Sequence, residues 1–470
     1  MKSRRPKVLH TLCGRRMLDY ALDVAREVSA ATPVVVYSPA TSAVAEAVGG
    51  GALLALQAEP RGTADAVRAA LEVLPHGAAE VVVLSGDTPL LAPATVRALL
   101  DLRRSAGAAI ALATIVPADP AGYGRVVRDG RERVARVVEE KDASSAERAV
   151  GEVNAGLYVF DGAWLRSRLP DVRPSPATGE LYLTELVALA THDGATVVAH
   201  RVADERELAG INDRLQLSRV EAELRRRLVE RHMRAGVTME DPSTVYLDAT
   251  VELAADVLLE PNVILRGATR IGAETVVGSG SLIVDTVVGE RCSIRASVLE
   301  SSVVEDDVRI GPFAHLRPGS SIGRGGHVGN YAEVKNSRLE PGVQQHHVSY
   351  LGDAHVGERT NIGAGTITAN WDGRRKLPTT IGARAFIGVD TMLVAPVEVG
   401  EGAKTGAGAV VTHDVPPGKL AVGVPARMRE PRQRPDAPPG GTDEAALRSP
   451  VTREAGAPVP LPPEAGREPS

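Results

Sequence analysis

From about Val245 to Val411 the chain keeps a six-residue beat. Val304, Ile310, Leu316, Ile322, Val328 and Val334 fall at intervals of six, and so do Ile381, Ile387, Leu393 and Val399, with Thr405 and Val411 continuing the count. Val245, Val251, Val257 and Val263 open the series. A glycine often follows the aliphatic, as in Ile271-Gly272, Val277-Gly278, Ile310-Gly311, Ile362-Gly363 and Ile387-Gly388. A period of six suits neither an amphipathic helix nor a simple strand. It is the pattern of a parallel β-helix, in which each hexapeptide supplies one short flat side and three sides close a coil of about 18 residues. The aliphatic points inward, and the small residue after it lets the chain turn the corner.

Aromatic residues make up only 3% of the 470, so the core must be built from Val, Leu, Ile and Ala, as a narrow prism requires. A chain of this length suggests two or three domains. The net charge of −5 gives no basic footprint for nucleic acid. No apolar run is long enough to span a bilayer, and the basic N-terminus lacks the apolar stretch of a signal peptide. Cys13 and Cys292 are expected as reduced thiols rather than as a disulfide.

Residues 1–212 alternate short apolar runs with helical stretches, which reads as an α/β domain with a doubly wound sheet. Strands are expected over Val34–Tyr37, Val81–Leu84, Ile110–Ile115 and Val134–Val138, and helices over Met17–Val28, Thr63–Leu74 and Ala92–Leu102. Ligands in such folds bind beyond the carboxyl ends of strands. Ser85-Gly86-Asp87 lies at one such end. A carboxylate there can hold Mg²⁺ beside substrate phosphates, or simply cap a turn. Lys7, Gln57, the Gly62-Thr63 step into a helix, Gly124, Glu139, Asn154 and Asn212 stand at or near other expected turns; taken singly, each reads as a turn residue. Residues 213–235 read as a charged connector helix with Leu217, Val220, Leu224 and Leu228 on one edge. Its Arg225-Arg226-Arg227 run suits solvent or an acidic partner.

The β-helix, residues 236–428, carries its own polar set. Arg317 and Lys335 fall on successive coils and could clamp a phosphate. His346 to Asp353 interrupts the aliphatic beat, and this reads as a loop leaving the solenoid, where function collects. A histidine there can serve as a general base near neutral pH. Adjacent histidines rarely face one metal, so His346 and His347 are not read as ligands.

Taken in order, Pro6–His10, Gln57–Thr63, Gly86–Leu90, Gly122–Arg125, Val138–Ala143, Asn154–Gly156, Gly179–Thr184 and Gly210–Ser218, followed by the hexapeptide array, resemble the bifunctional bacterial GlmU family over residues 1–425. The resemblance implies two activities: N-acetylglucosamine-1-phosphate uridylyltransferase in a Rossmann-like nucleotidyltransferase domain, then glucosamine-1-phosphate N-acetyltransferase in a left-handed parallel β-helix. It implies His347 as catalytic base with Glu333 orienting it, and Arg317, Lys335, Tyr350 and Asn361 as sugar-phosphate contacts. Ala364, Asn370, Trp371, Val389, Ala407 and Val424 would meet acetyl-CoA, with Lys376 near its phosphates. Lys7, Gln57, Gly62, Thr63, Ser85, Gly86, Asp87, Gly124, Glu139, Asn154 and Asn212 would bind UTP or UDP-N-acetylglucosamine, with Mg²⁺ on Asp87 and Asn212. It further implies a homotrimer with acetyl transfer sites between neighbouring chains, in a bacterial cytoplasm serving cell-wall synthesis.

The family opens with a strand and a glycine-rich loop bearing an arginine, which would hold the triphosphate of UTP. This chain opens Met1-Lys2-Ser3-Arg4-Arg5-Pro6-Lys7, without them. The expectation is a start assigned too late; the other explanation is a true truncation, leaving an acetyltransferase with a silent first domain. A third reading makes the β-helix only a trimer scaffold for a nucleotidyltransferase. Val389 and Val424 stand where the family has a serine and an arginine, and Arg427 lies near enough to substitute. Residues 429–470 are rich in Pro and aperiodic, the composition of a disordered tail.

Overall fold

The computed structural model describes residues 1–430; most of the tail expected over 429–470 lies outside the described residues. The residues before the connector helix form an α/β fold whose strands divide into three sheets among the described residues, the smallest element being the antiparallel pair Thr11–Leu12 and Arg15–Arg16. Val34–Tyr37 and Leu53–Leu56 pair in parallel as a sheet of two. The larger sheet has six strands arranged around Val153–Asp161. That strand runs antiparallel to Glu80–Val83, Ile110–Ile115 and Arg125–Arg128, so the larger sheet is mixed, where buried parallel strands were expected. The apolar run Ile110–Ile115 is buried at every position because helices cover both faces, with Val96, Leu99 and Leu100 on one side and Val67, Leu71, Leu186 and Val187 on the other. Helices Met17–Val28, Thr63–Val73 and Pro93–Ala106 fall where the apolar periodicity puts them.

The helix Arg214–Arg234 follows, with Asp213 accepting from the Gln216 N–H as its N-cap and so satisfying one of the free donors of the first turn. Val220, Leu224 and Leu228 are buried on one edge. The arginine run is engaged within the chain. Arg226 and Arg227 pair with Glu223, and Arg225 lies over the Tyr246 ring at 4.2 Å. Nothing there calls for an acidic partner.

From Thr238 on, among the described residues, short strands stack in three walls of 12, 10 and 9, all parallel except the last strand of the first wall. The first wall begins with Thr238–Met239, the second with Tyr246–Leu247 and the third with Glu252–Leu253. Each two-residue strand points one side chain out and one in, so the beat of six becomes a column of aliphatics. Val277, Ile294, Ile310 and Val328 are stacked in register on the first wall and are at most 1% exposed. Val334→Leu339 and Leu351→Val356 are steps of five, absorbed at a corner without loss of register.

The structure corrects one expectation here. His346 to Asp353 does not leave the solenoid. Gln345 and Leu351 both point inward, six residues apart, and Gln345 pairs with Val328 below and Ile362 above. A polar residue fills the aliphatic position, which hides the beat without breaking it. The excursion lies at 370–378, between the strands Ile367–Ala369 and Thr379–Ile381.

Cys13 and Cys292 are buried free thiols, as expected. Among the described residues no helix is long and apolar enough to cross a membrane. Leu316→Ala empties a position with 0% exposure in a prism with no slack for repacking. It is expected to destabilise the β-helix by about 2–5 kcal/mol, measured by chemical denaturation followed by circular dichroism.

Candidate functional sites in the two halves

In the first half the candidate residues gather at one end of the larger sheet. Asp87 follows Glu80–Val83, Asn154 opens Val153–Asp161, Gly124 precedes Arg125–Arg128 and Glu139 ends Val134–Val138. Because Val153–Asp161 is antiparallel to Glu80–Val83 and Ile110–Ile115, its start and their ends share an edge, and Arg125 at the start of its own strand pairs with Val153 there. Lys7 Nζ donates to Asp87 Oδ2 at 2.5 Å and to Asn212 Oδ1 at 3.0 Å. Two oxygens from distant segments thus converge on one cation. The donor set fits Mg²⁺, which takes one or two protein oxygens and completes its shell with phosphate and water. It is a set of only two protein oxygens, and no cluster of three or more His, Cys, Asp or Glu occurs among the described residues.

Gln57, Gly62 and Thr63 form a second corner of this site. Gln57 Nε2 donates to the Gly62 carbonyl at 3.1 Å and to Asp65 at 3.0 Å. Thr63 Oγ1 accepts from the Leu183 N–H at 2.8 Å, so its hydroxyl ties the loop before the helix to Gly179–Thr184. Gly62 has φ of +123°, and a Cβ there would lie 2.5 Å from the Leu181 carbonyl oxygen, so only glycine fits. Ser85, Gly86 and Asn154 face this edge, with Ser85 Oγ 3.0 Å from where a Gly156 Cβ would be. Glu139 accepts from Thr184 Oγ1 at 3.0 Å. Burial pushes its carboxyl above the usual range, and Asp142 nearby adds to the shift. Thr184 was not singled out as a site residue, although it lies within the Gly179–Thr184 motif; its partner Glu139 is 45 residues away.

In the β-helix, register assembles the second site. His315, Glu333, Tyr350 and Ile367 occupy matched positions on successive coils of the second wall, and Lys335 is matched with Gly352. Arg317 Nη1 donates to Glu333 Oε1 at 2.9 Å. Arg317, Glu333, Lys335 and Tyr350 therefore lie on one outer face. Glu333 is bonded to Arg317, whereas it was expected to orient His347; no ring nitrogen of His347 has a hydrogen bond among the described residues. Asn361 stands on the adjoining first wall, paired with Gln344 and Phe386, around the corner from the other sugar-phosphate candidates.

His347 is exposed on that corner. His346 beside it bonds Gln344 Oε1 at 2.7 Å, and its ring lies 4.4 Å from that of His327. Burial, with His346 second, pushes His327 down to about 4. Ala364, Val389, Ala407 and Val424 occupy the same corner on later coils. Gly363 comes within close approach of Val389 N, and Gly388 of Ala407 N. This column continues upward from His347 and is largely exposed, Val424 at 73%. Two expected acetyl-CoA contacts are not in the column. Asn370 is 5% exposed, with Nδ2 donating to Asp353 Oδ2 at 2.5 Å, so its amide holds the base of the excursion. Trp371 stands on that excursion, with Lys376 Nζ 5.8 Å from its ring centroid. A cavity of about 500 Å³ opens beneath it, lined by Asn336, Arg338, Asp353, His355 and Lys376 among others. Arg427 belongs to the terminal strand Arg427–Arg429, paired antiparallel with Leu420–Val422.

Glu139 gives a pH-dependent prediction. Its folded value lies above 4.5, so its stabilising contribution is present below 4.5 and is lost as pH rises through the folded value. Glu139→Gln removes this penalty. The variant is expected to melt higher than wild type at pH 7 in calorimetry, with the difference vanishing below pH 4.5.

Comparison with known proteins agrees with both halves. Residues 2–205 match the nucleotidyl transferase family model, and residues 301–336 and 378–413 match the bacterial transferase hexapeptide model of six repeats. The chain is 44% identical over 422 residues to the bifunctional protein GlmU of Heliobacterium modesticaldum, covering 90% of this chain and 92% of that one. It is 48% identical over 404 residues to GlmU of Anaeromyxobacter dehalogenans, covering 84% and 82%, and 42% identical over 450 residues to that of Mycobacterium bovis, covering 93% and 91%. With a nucleotidyltransferase domain joined to a left-handed β-helix of hexapeptide repeats, the chain belongs to the bifunctional GlmU family.

Proposed function

We propose that this enzyme makes UDP-N-acetylglucosamine in two steps, one in each half. The acetyl transfer step comes first. In the β-helix, Arg317 and Lys335 bind the phosphate of glucosamine-1-phosphate, with Tyr350 beside them. His347 Nε2 or Nδ1 accepts the proton that the amine loses as its nitrogen attacks the acetyl carbonyl of acetyl-CoA. The C–S bond then breaks, giving N-acetylglucosamine-1-phosphate and CoA. The corner column from Ala364 to Val424, together with Trp371 and Lys376, holds the CoA. The observation that carries this half is the row Arg317, Glu333, Lys335 and Tyr350 on one face next to an exposed histidine. Stacked cations and an unbonded base are not what a mere scaffold needs.

The second step joins that product to UTP. A phosphate oxygen of N-acetylglucosamine-1-phosphate attacks the α-phosphorus of UTP, and pyrophosphate leaves. Asp87 and Asn212 hold Mg²⁺, which when bound offsets charge on the phosphates. Lys7 beside them helps to offset phosphate charge. Glu139, Asn154 and Gly124 bind the sugar, and Gln57, Gly62 and Thr63 the base and ribose side. The protein does little covalent chemistry here; positioning and charge stabilisation carry the step.

The enzyme works as a homotrimer. Asn361 faces away from the other sugar contacts and the acetyl-CoA column is exposed, which suits sites completed by a neighbouring chain. The products serve cell-wall precursor synthesis in a bacterial cytoplasm. Light scattering at micromolar concentration is expected to give three times the chain mass, and a monomer mass would refute the assembly.

Mass spectrometry of products from glucosamine-1-phosphate, acetyl-CoA, UTP and Mg²⁺ tests the two steps together. His347→Ala is expected to slow acetyl transfer by about 10²- to 10⁴-fold while N-acetylglucosamine-1-phosphate supplied directly is still converted. Asp87→Ala is expected to do the reverse, letting N-acetylglucosamine-1-phosphate accumulate. Accumulation of that intermediate by the wild-type chain would instead support the acetyltransferase-only reading.

A further inference from the structure

The interior of the prism is aliphatic almost throughout, and Gln345 interrupts it directly beneath the exposed histidine corner. It is 0% exposed and lies between Val328 and Ile362 in the column of inward side chains. Its Nε2 donates to Ser349 Oγ at 2.9 Å, and its Oε1 has no hydrogen-bond partner among the described residues. Whichever way round the amide is set, one of its ends stays unpaired. A buried amide with an unmet end destabilises a fold, and an aliphatic side chain of similar size would not. Departures of this kind from local consistency tend to gather at functional sites.

The corner held by this amide is the one that bears His347. Ser349 Oγ, which accepts from Gln345, donates in turn to the His347 carbonyl at 2.8 Å. The carbonyls on either side are fixed by other coils: Gly329 N–H donates to Gln345 O at 2.7 Å, and Gly365 N–H to Val348 O at 2.7 Å. A Cβ at Gly329 would overlap the His346 carbonyl, so the corner sits tightly on the coil below. The His347 ring itself has no hydrogen bond among the described residues, so its aim depends on its backbone. The only bond on the His347 carbonyl among those described comes from Ser349, and Gln345 fixes the rotamer of that hydroxyl from inside the core.

We propose that Gln345, acting through Ser349, is a positioning residue for acetyl transfer: a buried amide–hydroxyl relay that sets the backbone of the His347 corner at the expense of core stability. This rests on His347 as the base. The relay adds no chemical step and touches no substrate. It keeps the imidazole within reach of the sugar ammonium, where small displacements are costly.

The test uses the full chain and four variants, with kcat and KM for acetyl transfer, the rate of uridylyl transfer, and the melting temperature as readouts. Gln345→Leu fills the core position and removes the unmet amide. It is expected to raise the melting temperature by about 2–4 °C, to lower kcat for acetyl transfer roughly 10- to 100-fold, and to leave KM for both substrates and the uridylyl transfer rate unchanged. Ser349→Ala is expected to lower kcat likewise, and Ser349→Thr, which keeps the hydroxyl, to retain it. A more stable but slower Gln345→Leu separates positioning from a merely structural role. Full kcat in Gln345→Leu with an inactive His347→Ala would overturn the relay and leave the base in place. A kcat loss accompanied by a lower melting temperature and raised KM would also overturn it. Full activity in His347→Ala would overturn the base reading and the relay with it.

Discussion

The backbone ladder between successive coils is the constraint on which the second half of this molecule depends. Each two-residue strand bonds the strand one coil below and one coil above in the same wall, so a side chain's height and face are fixed by its place in the repeat. One register error would turn every inward aliphatic outward, and the filled interior forbids it. The same ladder makes columns on the outside. Residues nearly a full coil apart in sequence become neighbours, which is how Arg317 meets Glu333 and how Ala364, Val389 and Ala407 line one corner.

The first half reaches a similar end by another route. Its site is drawn together by strand direction rather than by a repeat. Because Val153–Asp161 runs against Glu80–Val83 and Ile110–Ile115, its first residues share an edge with their last. Asp87 and Asn154 can then face one ligand, and the helix start at Asp213 brings Asn212 to Asp87. Lys7 between these two oxygens shows the electrostatic character of the place. Two oxygens from distant segments share one ammonium there. Glu139 is held in partial burial close by, its carboxyl already raised.

Much of the fold was legible because its signals are local. The beat of six identified the β-helix, and single apolar runs located strands such as Ile110–Ile115 to the residue. The helix Met17–Val28 was placed to the residue, and the connector helix expected over 213–235 runs Arg214–Arg234, with Asp213 as its cap. The misreadings were of one kind. An apolar run says that a strand is buried on both faces but not which way its neighbours run, so the mixed sheet was missed. A polar residue at a beat position looked like a departure from the coil, although Gln345 remains inside it.

The sequence by itself determined the two-part architecture, the identity of the walls and corners of the prism, and the residue types available for acid–base and phosphate chemistry. These are properties of periodicity and composition, written along the chain at short range. Only the tertiary structure decided which of those residues meet. It paired Glu333 with Arg317, left the His347 ring without a hydrogen bond among the described residues, set Asn361 on a different wall from Tyr350, and brought Asp87 and Asn212 together on Lys7. Those meetings depend on strand direction and register over long separations, where the energy lies in burying apolar faces and pairing backbone groups, and no local pattern in the chain carries it.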